Sequence, residues 1–160
     1  MSLDTNEILY RIKKALNLSD AEIVKLYALE DYPMEASHLA SLLVRRQEKA
    51  FVRCSYEELG VFLDGLITLK RGTSPQKSTE DEALELNNNL VLKKLRIALN
   101  LKEAETEIIF ALADVNLSKQ QLSSLFRKED HKNFKPCSDA LLLAFLEGLD
   151  EFYFVGDDLA

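Results

Sequence analysis

Apolar residues recur at helical spacing along most of the chain, and the pattern is written twice. Ile8, Leu9, Ile12 and Leu16 share one face of a helix expected over about residues 7–16, and Val91, Leu92, Leu95 and Leu99 repeat that face. A second helix follows with Ile23, Val24, Tyr27 and Ala28, echoed by Ala104, Ile108, Phe110 and Ala111. A third presents Leu39, Leu42 and Leu43, echoed by Leu122, Leu125 and Phe126. The fourth carries Leu59, Phe62, Leu63, Leu66 and Ile67 and ends on Lys70-Arg71-Gly72, the basic last turn and following glycine that a helix C-terminus favours.

The segment 6–66 realigns on 89–149 without a gap, at the 83-residue offset between Ala15 and Ala98. Ala15-Leu16-Asn17-Leu18 returns as Ala98-Leu99-Asn100-Leu101, and Phe62-Leu63-Asp64-Gly65-Leu66 as Phe145-Leu146-Glu147-Gly148-Leu149. Self-similarity at a fixed period predicts the architecture: an all-α protein of two tandem, internally duplicated four-helix units packed together. The expected boundaries are 1–72 for the first unit, 73–88 for a linker and 89–160 for the second. One copy of about 70 residues is near the size at which a single core is marginal, so the two should lean on each other. The polar run Thr73 to Thr79 reads as a flexible linker, and Glu80-Asp81-Glu82 as an extra turn of helix. Phe152-Tyr153-Phe154-Val155 has no counterpart in the first unit and is expected to cover the other copy or a partner subunit.

Residues kept in both copies meet a shared constraint. Ser19 with Glu22, Ser55 with Glu58, and Ser118 with Gln121 have capping-box spacing, while Lys102 stands where Ser19 would recur. Asn17 and Asn100 sit where a left-handed residue ends a helix. Gly65 and Gly148 lie inside helix 4, where close helix approach is the reason to tolerate them. Cys54 and Cys137 precede the helix-4 caps, five residues before Leu59 and Leu142, and read as hydrophobic staples rather than a disulfide or zinc site. His38 and His131 occupy non-equivalent positions and read as a solvent-facing helix residue and a loop residue, while Asp64 and Glu147 read as solvated or capping charges.

Charge narrows the function classes. The net charge is −7, and residues 81–160 hold 9 basic against 15 acidic side chains, so the field repels phosphate backbones unless local basic patches overcome it. The chain has no run of 18 apolar residues and no signal pattern at Met1-Ser2-Leu3-Asp4, which predicts a cytoplasmic protein without a membrane contact. A nucleophile with its base, a metal-ligand cluster and a phosphate-binding glycine loop are all missing from the sequence, so a non-enzymatic protein without a cofactor is expected.

The strongest functional signal is basic. Arg11 and Lys13 correspond to Lys94 and Arg96 on helix 1, and Arg45 and Lys49 to Lys128 and Lys132 in the connector after helix 3. Such residues fit an anion or nucleic-acid contact surface, with Phe51 and Phe134 available for stacking. The plainer alternative is a set of helix-terminal and solvated charges. Helices 2 and 3 outline a helix-turn-helix, with Lys119, Gln120, Ser123 and Arg127 on the outer face of the second copy. The leading expectation is a binding or regulatory module contacting a protein partner or another copy of itself. The alternative is a nucleic-acid binder, disfavoured by net charge. An enzymatic reading would need a pocket of convergent carboxylates or histidines at the seam between copies.

The repeated words Ala-Leu-Asn-Leu, Phe-x-x-Cys-Ser and Phe-Leu-[Asp/Glu]-Gly-Leu together resemble the YehS-like family of bacterial proteins, built from a duplicated domain of unknown function. The resemblance spans both copies in order. Arg127-Lys128-Glu129-Asp130 is similar to a basic-then-acidic turn of the family, and the first copy departs from it with Arg45-Arg46-Gln47-Glu48. The resemblance implies a small cytoplasmic bacterial protein and supplies no catalytic residues.

Overall fold

The computed structural model describes residues 3–72 and 86–159, with side chains described to residue 153. Most of the linker, the acidic extra turn, and the side chains of Phe154 and Val155 lie outside the described residues. Eight α-helices and no strand occur among the described residues. The first unit comprises α1 (Thr5–Ala15), α2 (Asp20–Leu29), α3 (Ala36–Leu43) and α4 (Tyr56–Arg71). The second comprises α5 (Asn88–Ala98), α6 (Glu103–Leu112), α7 (Lys119–Leu125) and α8 (Asp139–Leu159).

Local chemistry explains where these helices start and stop. The Asp4 carboxylate accepts the Asn6 N–H at 3.0 Å to open α1, and Asn87 accepts the Leu90 N–H at 2.9 Å to open α5. Reciprocal capping boxes open α2, α4 and α7 at Ser19, Ser55 and Ser118. Lysine has no acceptor, so α6 keeps only half a box, with Glu105 accepting the Lys102 N–H at 3.0 Å. Asn17 and Asn100, both at φ 53°, turn the chain out of α1 and α5. Asp31 and Asp114, at φ 56° and 62°, do the same after α2 and α6.

The units are joined by an exchange of partners. Helix α1 packs mainly on α8 and α5 mainly on α4, so the first helix of each unit lies along the last helix of the other. Helices α2 and α6 then cover α4 and α8 from outside. A Cβ at Gly65 would collide with the Leu26 backbone carbonyl, and one at Gly148 with that of Ile109, so the two glycines set how closely these outer helices approach. Tyr27, Phe62, Phe110 and Phe145 are fully buried in the resulting continuous core.

The burial of α2 and α6 differs from the expected faces. Leu26 is buried and Ala28 exposed, and in the second unit Thr106 and Ile109 are buried while Ala104, Ile108 and Ala111 face solvent. The reason is that each helix buries only a narrow stripe, because α3 or α7 and the turns cover little of its other faces. Phe152 and Tyr153 are half-buried against the core and meet edge to face at 5.5 Å.

Four long helices run in the same sense. The Lys94 ammonium meets Asp64 at 2.5 Å, and farther along both helices Arg71 donates to Asn100 Oδ1 at 3.0 Å, so α4 and α5 are parallel. Thr5 Oγ1 donates to the Cys54 carbonyl at 2.7 Å, placing the start of α1 beside the start of α4. Its counterpart Asn88 donates to the Cys137 carbonyl at 3.0 Å and brings the starts of α5 and α8 together. Helices α1, α4, α5 and α8 therefore all begin at one end of the molecule.

Candidate nucleic-acid interface

The connectors between helices 3 and 4 cap that end, and they are the same loop built twice. In the first, Glu48 N–H donates to Arg45 O, Phe51 N–H to Glu48 O and Val52 N–H to Ser41 O, at 3.0–3.1 Å. In the second, His131 donates to Lys128 O, Phe134 to His131 O and Lys135 to Ser124 O, at 2.9–3.0 Å. Every donor and acceptor is displaced by the repeat offset.

One asparagine pins each loop to the start of its unit. Asn6 Nδ2 donates to the carbonyls of Leu42 at 3.0 Å and Val52 at 2.8 Å, while its Oδ1 accepts the Cys54 N–H at 2.9 Å. Asn89 makes the equivalent bonds to Leu125 O, Lys135 O and the Cys137 N–H, at 3.0, 3.0 and 2.8 Å. Sequence reasoning missed these two residues. Their signal was present all the same, as an asparagine repeated at the offset without a cap to explain it.

The eight paired basic positions separate into two groups. On the first helices, Arg11 forms an i,i+4 pair with Glu7 at 3.3 Å, and Lys94 is buried against Asp64. Lys13 Nζ and Arg96 Nε donate to the equivalent carbonyls of Leu18 and Leu101, at 3.0 and 3.1 Å, and so hold the turns after α1 and α5. The Arg96 guanidinium also lies over the Phe126 ring, 4.5 Å from its centroid. These four side chains are engaged within the fold.

Arg45, Lys49, Lys128 and Lys132 are exposed on the connectors, and none forms an ion pair among the described residues. Their neighbours Arg46 and Arg53 face Asp4 instead, at 3.7 and 2.7 Å, and Arg53 lies 5.6 Å from the Phe51 centroid. Phe51 and Phe134 are half-buried. The starts of four parallel helices add partial positive charge at this end, which Glu48, Glu129 and Asp130 in the same loops offset in part. On the helix-turn-helix outline, Lys119, Gln120 and Arg127 are exposed and Ser123 is half-buried.

Two side chains, His38 and Asp64, sit differently from their sequence reading, while Glu147 and His131 sit as expected. His38 is not simply solvent-facing: its Nε2 lies 2.5 Å from Glu58 Oε2, because α3 folds back over the first turn of α4. Asp64 is not a free surface charge but the partner of buried Lys94. Glu147, its repeat equivalent, is exposed. His131 lies in the second connector, where its Nδ1 accepts the Asn133 N–H at 2.9 Å.

Burial pushes both thiols up to about 12, with Glu58 and Asp4 adding to the effect at Cys54 and Asp139 at Cys137, so these buried cysteines are poor nucleophiles. No group of three His, Cys, Asp or Glu side chains among the described residues is arranged to hold a metal ion. No helix of the described residues is long and apolar enough to cross a membrane. A cleft of about 490 Å³ at the seam between units, toward the opposite end, is lined by Lys70, Arg71, Ala98, Leu99, Asn100 and Tyr153. Cations, an amide and a phenol meet there, with no carboxylate or imidazole in the lining.

The fold defines a class: a duplicated all-α protein whose units exchange helix partners to make one body with two copies of a single loop. The family model described as a protein of unknown function (DUF1456) matches residues 5–72 and 88–153, and the chain belongs to that family. It is 35% identical over 145 residues to the uncharacterized protein YehS of Escherichia coli (strain K12), covering 91% of this chain and 93% of that protein. No solved structure gives a significant match.

Proposed function

We propose that the chain is a non-catalytic binding module whose basic end contacts nucleic acid. One observation carries this reading: two loops with the same backbone hydrogen bonds, at the same end of the molecule, each hold a pair of exposed cations with no ion-pair partner among the described residues. Unpaired cations on two repeated loops suit an extended ligand with regularly repeating negative charge better than a single small anion. The acidic remainder of the chain opposes indiscriminate adhesion to phosphate backbones, so binding depends on how the basic end is presented.

Fluorescence anisotropy with labelled single- and double-stranded oligonucleotides tests the proposal. If each of the four cations neutralises one phosphate, log K for a duplex should fall with log salt at a slope of roughly −3 to −4. Absence of binding at low salt overturns the proposal. Equal competition by polyglutamate would also overturn it, and would assign the basic end to an acidic protein partner.

A further inference from the structure

The two units differ where helix 3 meets helix 4. In the first unit the Glu58 carboxylate does two jobs: Oε1 accepts the Ser55 N–H at 2.8 Å and caps α4, while Oε2 meets His38 Nε2 of α3 at 2.5 Å. The Glu58 side chain is 9% exposed and that of His38 39%, so the contact is shielded on one side and open to solvent protons on the other. Tyr27 adds a bond from its hydroxyl to the Glu58 carbonyl at 2.8 Å. At the repeat offset the second unit has Gln121, Leu141 and Phe110 in place of His38, Glu58 and Tyr27, and the Ser138 hydroxyl caps α8, accepting the Leu141 N–H at 3.1 Å. Helix α3 enters the first connector and α4 leaves it, so the His38–Glu58 contact, from the first turn of α3 to the first turn of α4, closes the segment 38–58 that carries Arg45 and Lys49.

We propose that His38 and Glu58 form a proton-responsive clasp that tightens the first basic connector when the imidazole is charged, a contact the second connector lacks. An imidazolium donates a charge-assisted hydrogen bond to a carboxylate, roughly twice as strong as the neutral one. Histidine is the residue type whose charge changes between about pH 5 and 8. Burial works to raise Glu58, but the bonds from the Ser55 N–H, His38 and the Ser55 hydroxyl outweigh it and hold the carboxyl below its ordinary range, which keeps the acceptor charged. Around the pair stand Tyr27 on α2, Tyr32 in the turn after α2, Cys54 and Glu57 at the start of α4, and Asp4 before α1. Burial pushes the two phenols and the thiol upward, so they stay neutral across this window, and Asp4 is held by Arg53. His38 is thus a positioning residue for the connector, and the regulatory meaning of the clasp rests on the reading of the connectors as the contact surface.

The test uses the full chain without ligand. Amide hydrogen exchange at pH 5.5 and 8.0, corrected for intrinsic rates, should show α3 and residues 45–53 roughly fivefold better protected at the lower pH, the factor that one net hydrogen bond carries. Residues 128–135 should gain no protection at the lower pH, since a charged His131 would no longer accept the Asn133 N–H, and His38→Gln, which imports the second unit's residue, should abolish the difference in the first connector. An equal response in both connectors, or an unchanged response in His38→Gln, overturns the clasp. A parallel oligonucleotide titration at the two pH values separates the two proposals. Exchange that follows the expectation with no binding at either pH keeps the clasp and removes the nucleic-acid reading, whereas binding without the exchange signature does the reverse.

Discussion

Across the repeat, Asn6 and Asn89 pin the same loop, Gly65 and Gly148 admit the same neighbouring helix, and Asn17 and Asn100 make the same left-handed turn. Tyr27, His38, Glu58 and Thr68 by contrast stand opposite Phe110, Gln121, Leu141 and Glu151. In the first unit those four carry polar contacts, including the Thr68 hydroxyl donating to Glu30 at 2.8 Å. The contrast separates two kinds of constraint. What folding requires appears twice, and the titratable contact between helices 3 and 4 appears once.

The largest effect is expected from the shared asparagines. Asn6→Ala strands the buried Leu42 carbonyl and Cys54 N–H and the part-buried Val52 carbonyl, which should cost about 3 kcal/mol, and Asn89→Ala, whose bond to the Lys135 carbonyl is exposed, should cost up to about 1 kcal/mol less. Urea unfolding measures both, and a large inequality between them would break the equivalence of the two loops. Next come the glycines. Gly65→Ala and Gly148→Ala should each destabilise by about 2–3 kcal/mol, since a backbone carbonyl must move to admit the methyl. Gly60→Ala, with open space at its Cβ, should instead stabilise by up to about 1 kcal/mol, as Ala does over Gly in a helix. Three equal outcomes would mean that helix propensity rather than close approach governs these sites.

Smaller effects probe the unit-specific contacts. Tyr27→Phe installs the second unit's type of residue and should cost about 1 kcal/mol, the worth of one net hydrogen bond. The depressed Glu58 carboxyl contributes stability that is fully present above its unfolded value, about 4.3, and is lost as the pH falls through the lower folded value. Unfolding curves from pH 7 to pH 3 should therefore show a shallower acid loss in Glu58→Leu than in the parent chain. An identical acid limb would remove Glu58 from the account.

Much of the fold could be read from periodicity and caps, because both are local. The capping boxes at Ser19, Ser55 and Ser118 and the left-handed asparagines depend on residues a few positions apart, and the glycines showed themselves by recurring. The exchange of helix partners was not legible, since the same apolar faces serve equally well for two self-contained units. That non-local pairing also decides Lys94. As a charge kept at both copies it resembled a surface position, yet α5 lies along α4 and brings it to Asp64, whereas Arg11 stays with Glu7 on its own helix. On α2, Leu26 and Ala28 flank opposite sides of the Ile23 and Tyr27 stripe, and spacing alone does not choose between them. The exposed connector cations could be found from sequence, but their position at one end of the molecule depends on four helices running parallel.

The most direct measurement of the central claim is charge reversal at the equivalent loop positions, read by oligonucleotide anisotropy at low salt. Arg45→Glu and Lys128→Glu should each weaken binding, and the double variant should lose at least about tenfold with a reduced salt slope. Unchanged affinity in the double variant, with the fold intact by circular dichroism, would contradict the claim that the duplicated connectors are the contact surface.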